Sequence, residues 1–141
     1  MAAPRDSLSA PTSDDLEQLL GDALSSAKFM LDDGGEFFPY ALAMATAGDI
    51  QLITTYPGED DRSTVASLVK AFTQNRANWR AIALVSNIAL ADSAAVQVEL
   101  EHSDGSALVV QVRYSGTGQT RGVDYGSRAH ARGEGRIWTS A

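Results

Sequence analysis

The chain has 141 residues, of which 44% are hydrophobic and 21% charged, and its formal net charge is −7. This length suits a single domain whose core needs no disulfide or structural metal to hold it. The absence of cysteine excludes disulfides, zinc–thiolate sites, iron–sulfur clusters and thiol nucleophiles, and two histidines are too few for a three-histidine metal site.

Charge is distributed unevenly along the chain. Residues 1–61 contain 12 acidic and 2 basic residues, a net charge of −10, whereas residues 62–141 contain 6 acidic and 9 basic residues, a net charge of +3. One interpretation is a polar interaction surface, and the other is that the two halves lie side by side and neutralise each other. The basic stretch near the C-terminus raises nucleic acid as a partner, but the whole chain is negative, so we do not expect nucleic acid to bind. Contact between this basic stretch and the acidic N-terminal half, within or between chains, is favoured instead.

The N-terminal segment predicts no buried structure. Residues 1–12 are rich in Pro, Ser and Ala, so we expect a disordered tail ahead of one domain over residues 13–141. The segment lacks the apolar core of a signal peptide, and no stretch of the chain has the apolar length of a membrane span. The cytoplasm is therefore the expected location.

The first predicted element is an amphipathic helix. Asp14 is its predicted N-cap, and Gly34–Gly35 is expected to end it because glycine adopts the left-handed conformation readily. Its apolar stripe has the spacing of one helix face and consists of Leu16, Leu19, Leu20, Ala23, Leu24, Ala27, Met30 and Leu31.

A hairpin is predicted next, over Tyr40–Tyr56. Apolar residues alternate on both sides of a turn, and a three-residue loop, Thr46–Gly48, places Leu42 opposite Leu52. This loop also sets Gly48 at the left-handed position that three-residue hairpins prefer. A two-residue loop would instead mix apolar and polar faces.

A second helix and a buried strand follow. Ser63 is the predicted N-cap of the helix, and its apolar stripe comprises Val65, Leu68, Val69 and Phe72. Residues 81–91 are almost continuously apolar, which is typical of a strand buried on both faces. Ser86 and Asn87 interrupt this run and are expected to point to opposite faces because they are adjacent.

The last part of the chain predicts a second hairpin and two weaker strands. A three-residue loop ending in Gly105 pairs Val98 with Val110, together with Leu100–Leu108 and Val96–Val112. Strands are then expected over Asp124–Ala131 and Arg136–Thr139. The predicted fold class is α+β, a two-layer sandwich of two helices on a mostly antiparallel sheet, in the order α-β-β-α-β-β-β with one further strand or two.

The candidate functional residues are few. Glu99 and Glu101 share a strand face, where they can act as paired carboxylates or simply face solvent, and His102 follows them at the strand end. Glu36 precedes an aromatic cluster containing Phe37 and Tyr40, which either frames a small pocket or fills the seam between helix and sheet. No catalytic, cofactor-binding or metal-binding residue is assigned, and these six residues are expected to form a ligand or partner surface.

Two motifs resemble a family of small uncharacterised bacterial proteins. They are Gly35-Glu36-Phe37-Phe38-Pro39-Tyr40-Ala41, which leads into the first hairpin, and Leu100-Glu101-His102-Ser103-Asp104-Gly105 at the turn of the second. The similarity covers residues 14–138. It implies a shared fold, but no activity.

Together these observations predict a non-catalytic binding or assembly module of accessory or immunity type, without a cofactor. We expect it to be a homodimer, with a protein partner as a further expectation. The alternative is a small hydrolase or isomerase whose pocket gathers Glu36, Glu99, Glu101 and His102. In that case Glu36 and His102 must project into one pocket together with Glu99 or Glu101.

Overall fold

A computed structural model of the chain describes residues 10–34, 37–56, 58–90, 94–115 and 124–138. Its two helices and six strands follow one another along the chain in the predicted order: α1 (Ala10–Gly34), β1 (Tyr40–Ala45), β2 (Ile50–Ile53), α2 (Asp61–Gln74), β3 (Trp79–Ala89), β4 (Ala94–His102), β5 (Ala107–Ser115) and β6 (Asp124–Arg132). The strands form a single antiparallel sheet in the order β2-β1-β3-β4-β5-β6. The predicted α+β class and element order are confirmed.

The two hairpins have the predicted registers. Leu42 pairs with Leu52 in the first, and Val98 pairs with Val110 in the second. Gly48 and Gly105 have φ angles of 103° and 96°, which lie in the left-handed region that favours glycine. Turn chemistry and side-chain alternation therefore fix both hairpins locally.

The two helices pack on opposite faces of the sheet, so helices and sheet form three layers and not the predicted two. Helix α1 and the inward side chains of β1, β3, β4 and β5 form the larger core. Helix α2 packs on the other face against Ala41, Ala43, Ile82 and Leu84, and buried Ile137 of the C-terminal segment joins this smaller core. We refer to these as the α1 face and the α2 face. Strand β3 contributes to both cores, as its continuous apolar run predicts.

Three predicted boundaries are wrong. Helix α1 begins at Ala10 rather than after Asp14, because Thr12 is buried and its hydroxyl donates to the carboxylate of Asp104. That first turn includes three residues of the predicted tail, and residues 1–9 lie outside the described chain. Helix α2 is capped by Asp60, whose carboxylate accepts the backbone N–H of Ser63 at 2.8 Å, so Ser63 lies within the first turn.

The third correction concerns the end of the chain. The described part of the segment predicted as a final strand, residues 136–138, is a bend. Its backbone N–H groups turn toward the carboxylate of Glu101 instead of pairing with a neighbouring strand.

Candidate functional site

The sheet separates the residues that the enzyme hypothesis brings together. Glu101 pairs with Ile82 and Glu99 with Leu84, and both of these partners belong to the core on the α2 face. His102 pairs with Ala81, which belongs to the core on the α1 face. Paired residues of an antiparallel ladder share a face, so the two carboxylates and the imidazole point in opposite directions. Glu36 lies outside the described residues.

Glu101 is buried and holds the C-terminal segment. Its Oε1 accepts the backbone N–H groups of Arg136 at 2.7 Å and Ile137 at 3.0 Å. Its Oε2 accepts those of Ile137 at 3.0 Å and Trp138 at 2.7 Å. Successive N–H groups that converge on one carboxylate form an anion-binding nest. In this protein the bound anion is the side chain of Glu101 itself. Both oxygens of Glu101 therefore have structural partners.

His102 joins the start of α1 to the turn between β4 and β5. Its Nε2 lies 2.9 Å from Oδ2 of Asp15, and its Nδ1 accepts the backbone N–H of Asp104 at 3.2 Å. The second contact makes Nδ1 an acceptor, so in the neutral ring Nε2 carries the proton and donates to Asp15. Asp15 also lies 3.4 Å from Nη1 of Arg80. Both ring nitrogens are thus engaged.

Asp104 completes this network at the hairpin turn. Burial alone would raise the pKa of its carboxyl, but hydrogen bonds from Thr12 and Ser106 and the nearby charge of His102 together lower it. The same carboxylate accepts the backbone N–H of Ser106 at 2.8 Å. The network therefore ties the first turn of α1 to the β4–β5 turn.

The aromatic pair lies mainly in the larger core. Tyr40 is buried, and its hydroxyl lies 2.6 Å from the hydroxyl of Ser26 on α1. Phe37 packs against it edge-to-face, with ring centroids 5.5 Å apart. Burial raises the pKa of Tyr40, and the hydrogen bond with Ser26 opposes this shift. These contacts fit the interpretation in which the aromatic residues fill the helix–sheet seam.

Glu99 lines an open groove of about 330 Å³ on the α2 face. The groove lies between the first turns of α2, the ends of β3 and β4, and Arg136. Nη2 of Arg136 is 3.1 Å from Oε1 of Glu99. Burial raises the pKa of Glu99, while Arg136 lowers it and Glu134 and Glu101 raise it further. Among the five predicted residues that the structure describes, Glu99 is the one whose carboxylate lines a ligand-sized groove.

The two edges of the sheet differ in character. Edge strand β2 contains no charged residue, and Leu52 on this strand and Tyr56 just after it are exposed. Phe29 on α1 and Phe38 ahead of β1 are the other large hydrophobic side chains that are exposed in the described chain. Edge strand β6 carries three exposed basic residues at alternate positions, Arg128, His130 and Arg132, which share the α1 face. The charge asymmetry of the sequence thus reappears as a basic β6 edge.

Neither helix is apolar enough over sufficient length to cross a membrane, as judged from the described residues. Across the same ranges, no cluster of three or more His, Asp or Glu residues is arranged to bind a metal ion. The candidate residues predicted from the sequence do not include Asp15 and Ser86. Asp15 carries no local signal, since its partner His102 is 87 residues away. Ser86 interrupts an apolar strand, and this polar interruption is the sequence signal that could identify it.

No protein-family model, curated protein or solved structure matches this chain.

Proposed function

We propose that the protein is a non-catalytic binding and assembly module that functions as a homodimer joined through the β2 edge. The observation that carries this proposal is the exposed apolar surface around β2. Leu52 on β2 is 48% exposed, and Tyr56, three residues after the end of this strand, is 93% exposed. An exposed, uncharged edge strand with apolar side chains is a template for pairing with another chain.

A second copy of the chain fits this edge better than the opposite one. A two-fold axis through Leu52 would pair β2 with the partner's β2, and no charged side chain within either strand would oppose the pairing. Self-pairing of β6 would instead bring Arg128 and Arg132 of two copies together on one face. Charged edge strands of this kind oppose edge-to-edge association.

The non-catalytic part of the proposal rests on the partners of Glu101 and His102. Both oxygens of Glu101 are occupied by backbone N–H groups, and both ring nitrogens of His102 by Asp15 and Asp104. General acid–base chemistry needs such groups to converge on a substrate. Turnover of any substrate that His102→Gln abolishes in a folded protein would restore the hydrolase or isomerase alternative.

Sedimentation equilibrium at micromolar concentrations tests the dimer. We expect a dimer for the natural sequence and a monomer for Leu52→Asp and Tyr56→Ser, the second of which alters a side chain with almost no packing. Ala131→Asp on β6 adds the same charge as Leu52→Asp and should leave the dimer intact. A monomer at high micromolar concentration, or loss of the dimer in Ala131→Asp, would overturn the proposal.

Ionic strength provides a second test. The half of the chain that contains β2 carries a net charge of −10, so the two copies repel each other, and added salt should strengthen the dimer by screening. A head-to-tail contact between a β2 edge and a basic β6 edge would weaken with salt. The location in the cytoplasm, a protein partner and membership of the bacterial family remain predictions from the sequence.

A further inference from the structure

The groove beside Glu99 contains a buried hydroxyl group without a partner. Ser86 is only 7% exposed and lines the groove on the α2 face. Its hydroxyl makes no hydrogen bond with any residue in the described part of the chain. A buried polar group without a partner is costly, so native structures leave few of them. Ser86 therefore points to a ligand that the groove receives.

The polar groups around Ser86 come from three parts of the fold. Gln97 pairs directly with Ser86 across β3 and β4, and Glu99 follows one step further along the same face. The Gln97 side-chain oxygen accepts from Gln111 at 2.8 Å, which leaves its amide N–H groups as donors. Asp61 and Arg62 reach the groove from the first turn of α2.

The charges that line the groove balance. They are two carboxylates, Asp61 and Glu99, and two guanidinium groups, Arg62 and Arg136. The apolar side chains that line it are Val65 and Ile88. Arg136 already pairs with Glu99, whereas Arg62 forms no close ion pair among the described residues and interacts with the charge of Asp60 only at longer range. Arg62 also lies in the first turn of α2, where the helix dipole favours an anion. The groove thus offers Glu99 and Ser86 as acceptors on the sheet, and Arg62, which is next to Asp61, as a cationic group on the first turn of α2.

We propose that this groove binds a zwitterionic aliphatic α-amino acid. Its ammonium group is received by Glu99 and the Ser86 hydroxyl, its carboxylate by Arg62 and the N-terminal turn of α2, and its side chain by Val65 and Ile88. A sugar of similar size fits less well, because no aromatic side chain lines the groove to stack against a pyranose ring. The volume of about 330 Å³ is at the lower end of the range for small-molecule sites. This site is separate from the β2 edge and does not depend on dimer formation.

Titration of the full chain with L-leucine tests the site directly. The measured quantity is the NMR chemical shift of each backbone amide as leucine is added. We expect saturable shifts at Arg62, Ser86 and Gln97. Leucinamide lacks the carboxylate and 4-methylpentanoate lacks the ammonium group, and each should bind at least about tenfold more weakly, as loss of one charge-assisted hydrogen bond predicts. Equal binding of all three compounds, binding of glucose at these residues, or no shift with leucine would overturn the proposal.

Two substitutions separate a binding role from a structural one. Ser86→Ala removes a hydroxyl that has no partner without ligand, so it should raise the thermal midpoint of the free protein and weaken leucine binding about tenfold. Arg62→Gln should weaken leucine and 4-methylpentanoate but leave leucinamide unchanged. Ser67→Ala, an exposed position on α2, is the matched control and should change neither property. A lower thermal midpoint for Ser86→Ala with unchanged leucine binding would assign Ser86 a structural role and refute the site.

Discussion

The carboxylate of Glu101 provides the sharpest test of how this fold is held together. Glu101→Gln keeps the size of the side chain but replaces one carboxylate oxygen with an amide NH₂ group. The remaining oxygen can still accept two of the three backbone N–H groups that meet the carboxylate. The new NH₂ group then faces a backbone N–H at the position where Oε2 accepts from Trp138 at 2.7 Å.

The expected loss follows from these contacts. A hydrogen bond to a charged acceptor contributes about 1.5–3 kcal/mol, and a donor left unsatisfied costs about 1–3 kcal/mol. Detachment of the C-terminal segment limits this loss of stability, because the backbone N–H donors then bind water. The cost of detachment is the exposure of Ile137, which is 0% exposed in the fold. Burial of one such side chain contributes about 1.5–3 kcal/mol. We therefore expect Glu101→Gln to lower the free energy of unfolding by about 3 kcal/mol.

Urea denaturation followed by circular dichroism measures this loss, and amide hydrogen exchange at residues 136–138 shows whether the segment detaches. Glu99→Gln is the matched control, because it makes the same change two residues away on the same face. Its partner Arg136 is 47% exposed, so we expect an effect below about 1 kcal/mol. A loss under about 1 kcal/mol for Glu101→Gln, with amide protection retained at 136–138, would refute the reasoning.

Three further predictions concern two glycines and the dependence of stability on pH. Gly21→Ala should stabilise the protein by about 0.5–1 kcal/mol, because Gly21 lies within α1 and an added Cβ meets no atom within 4 Å. Gly105→Ala should instead cost about 1–2 kcal/mol, since its φ of 96° is unfavourable for alanine; equal urea midpoints for the two variants would contradict this. Burial raises the pKa of Glu99 above its ordinary value of 4.5, so the folded state holds this proton more tightly than the unfolded state. The stability contributed by Glu99 should fall as pH rises from 4.5 through the folded pKa, and urea midpoints of Glu99→Gln should lack this component of the pH dependence.

The hairpins show how much of the fold is determined by short stretches of the sequence. The pairing of Leu42 with Leu52 follows from side-chain alternation and from one glycine in the connecting loop. A shift by one residue would move each apolar side chain to the wrong face, so the register follows from a short stretch of chain. The continuous apolar run of β3 likewise predicts that both of its faces are covered.

The candidate site shows where sequence reasoning stops. Alternation along β4 predicts that Glu99 and Glu101 share a face, and the structure agrees. It gives no indication that Glu101 receives N–H groups 35 to 37 residues later in the chain, or that His102 meets Asp15. The same pattern that made Glu101 a candidate for chemistry is equally compatible with the structural contact it makes.

The sequence by itself determined the α+β class, the order of the elements and both hairpin registers, because these depend on periodicity and turn residues that are close together in the chain. Only the tertiary structure decided that α1 and α2 cover opposite faces, that β1 inserts between β2 and β3, and that the groove beside Ser86 remains open. The physical reason is that the face on which a helix packs depends on how all the apolar surfaces are buried together. That choice brings distant residues into contact, and the pattern along any one element does not encode it.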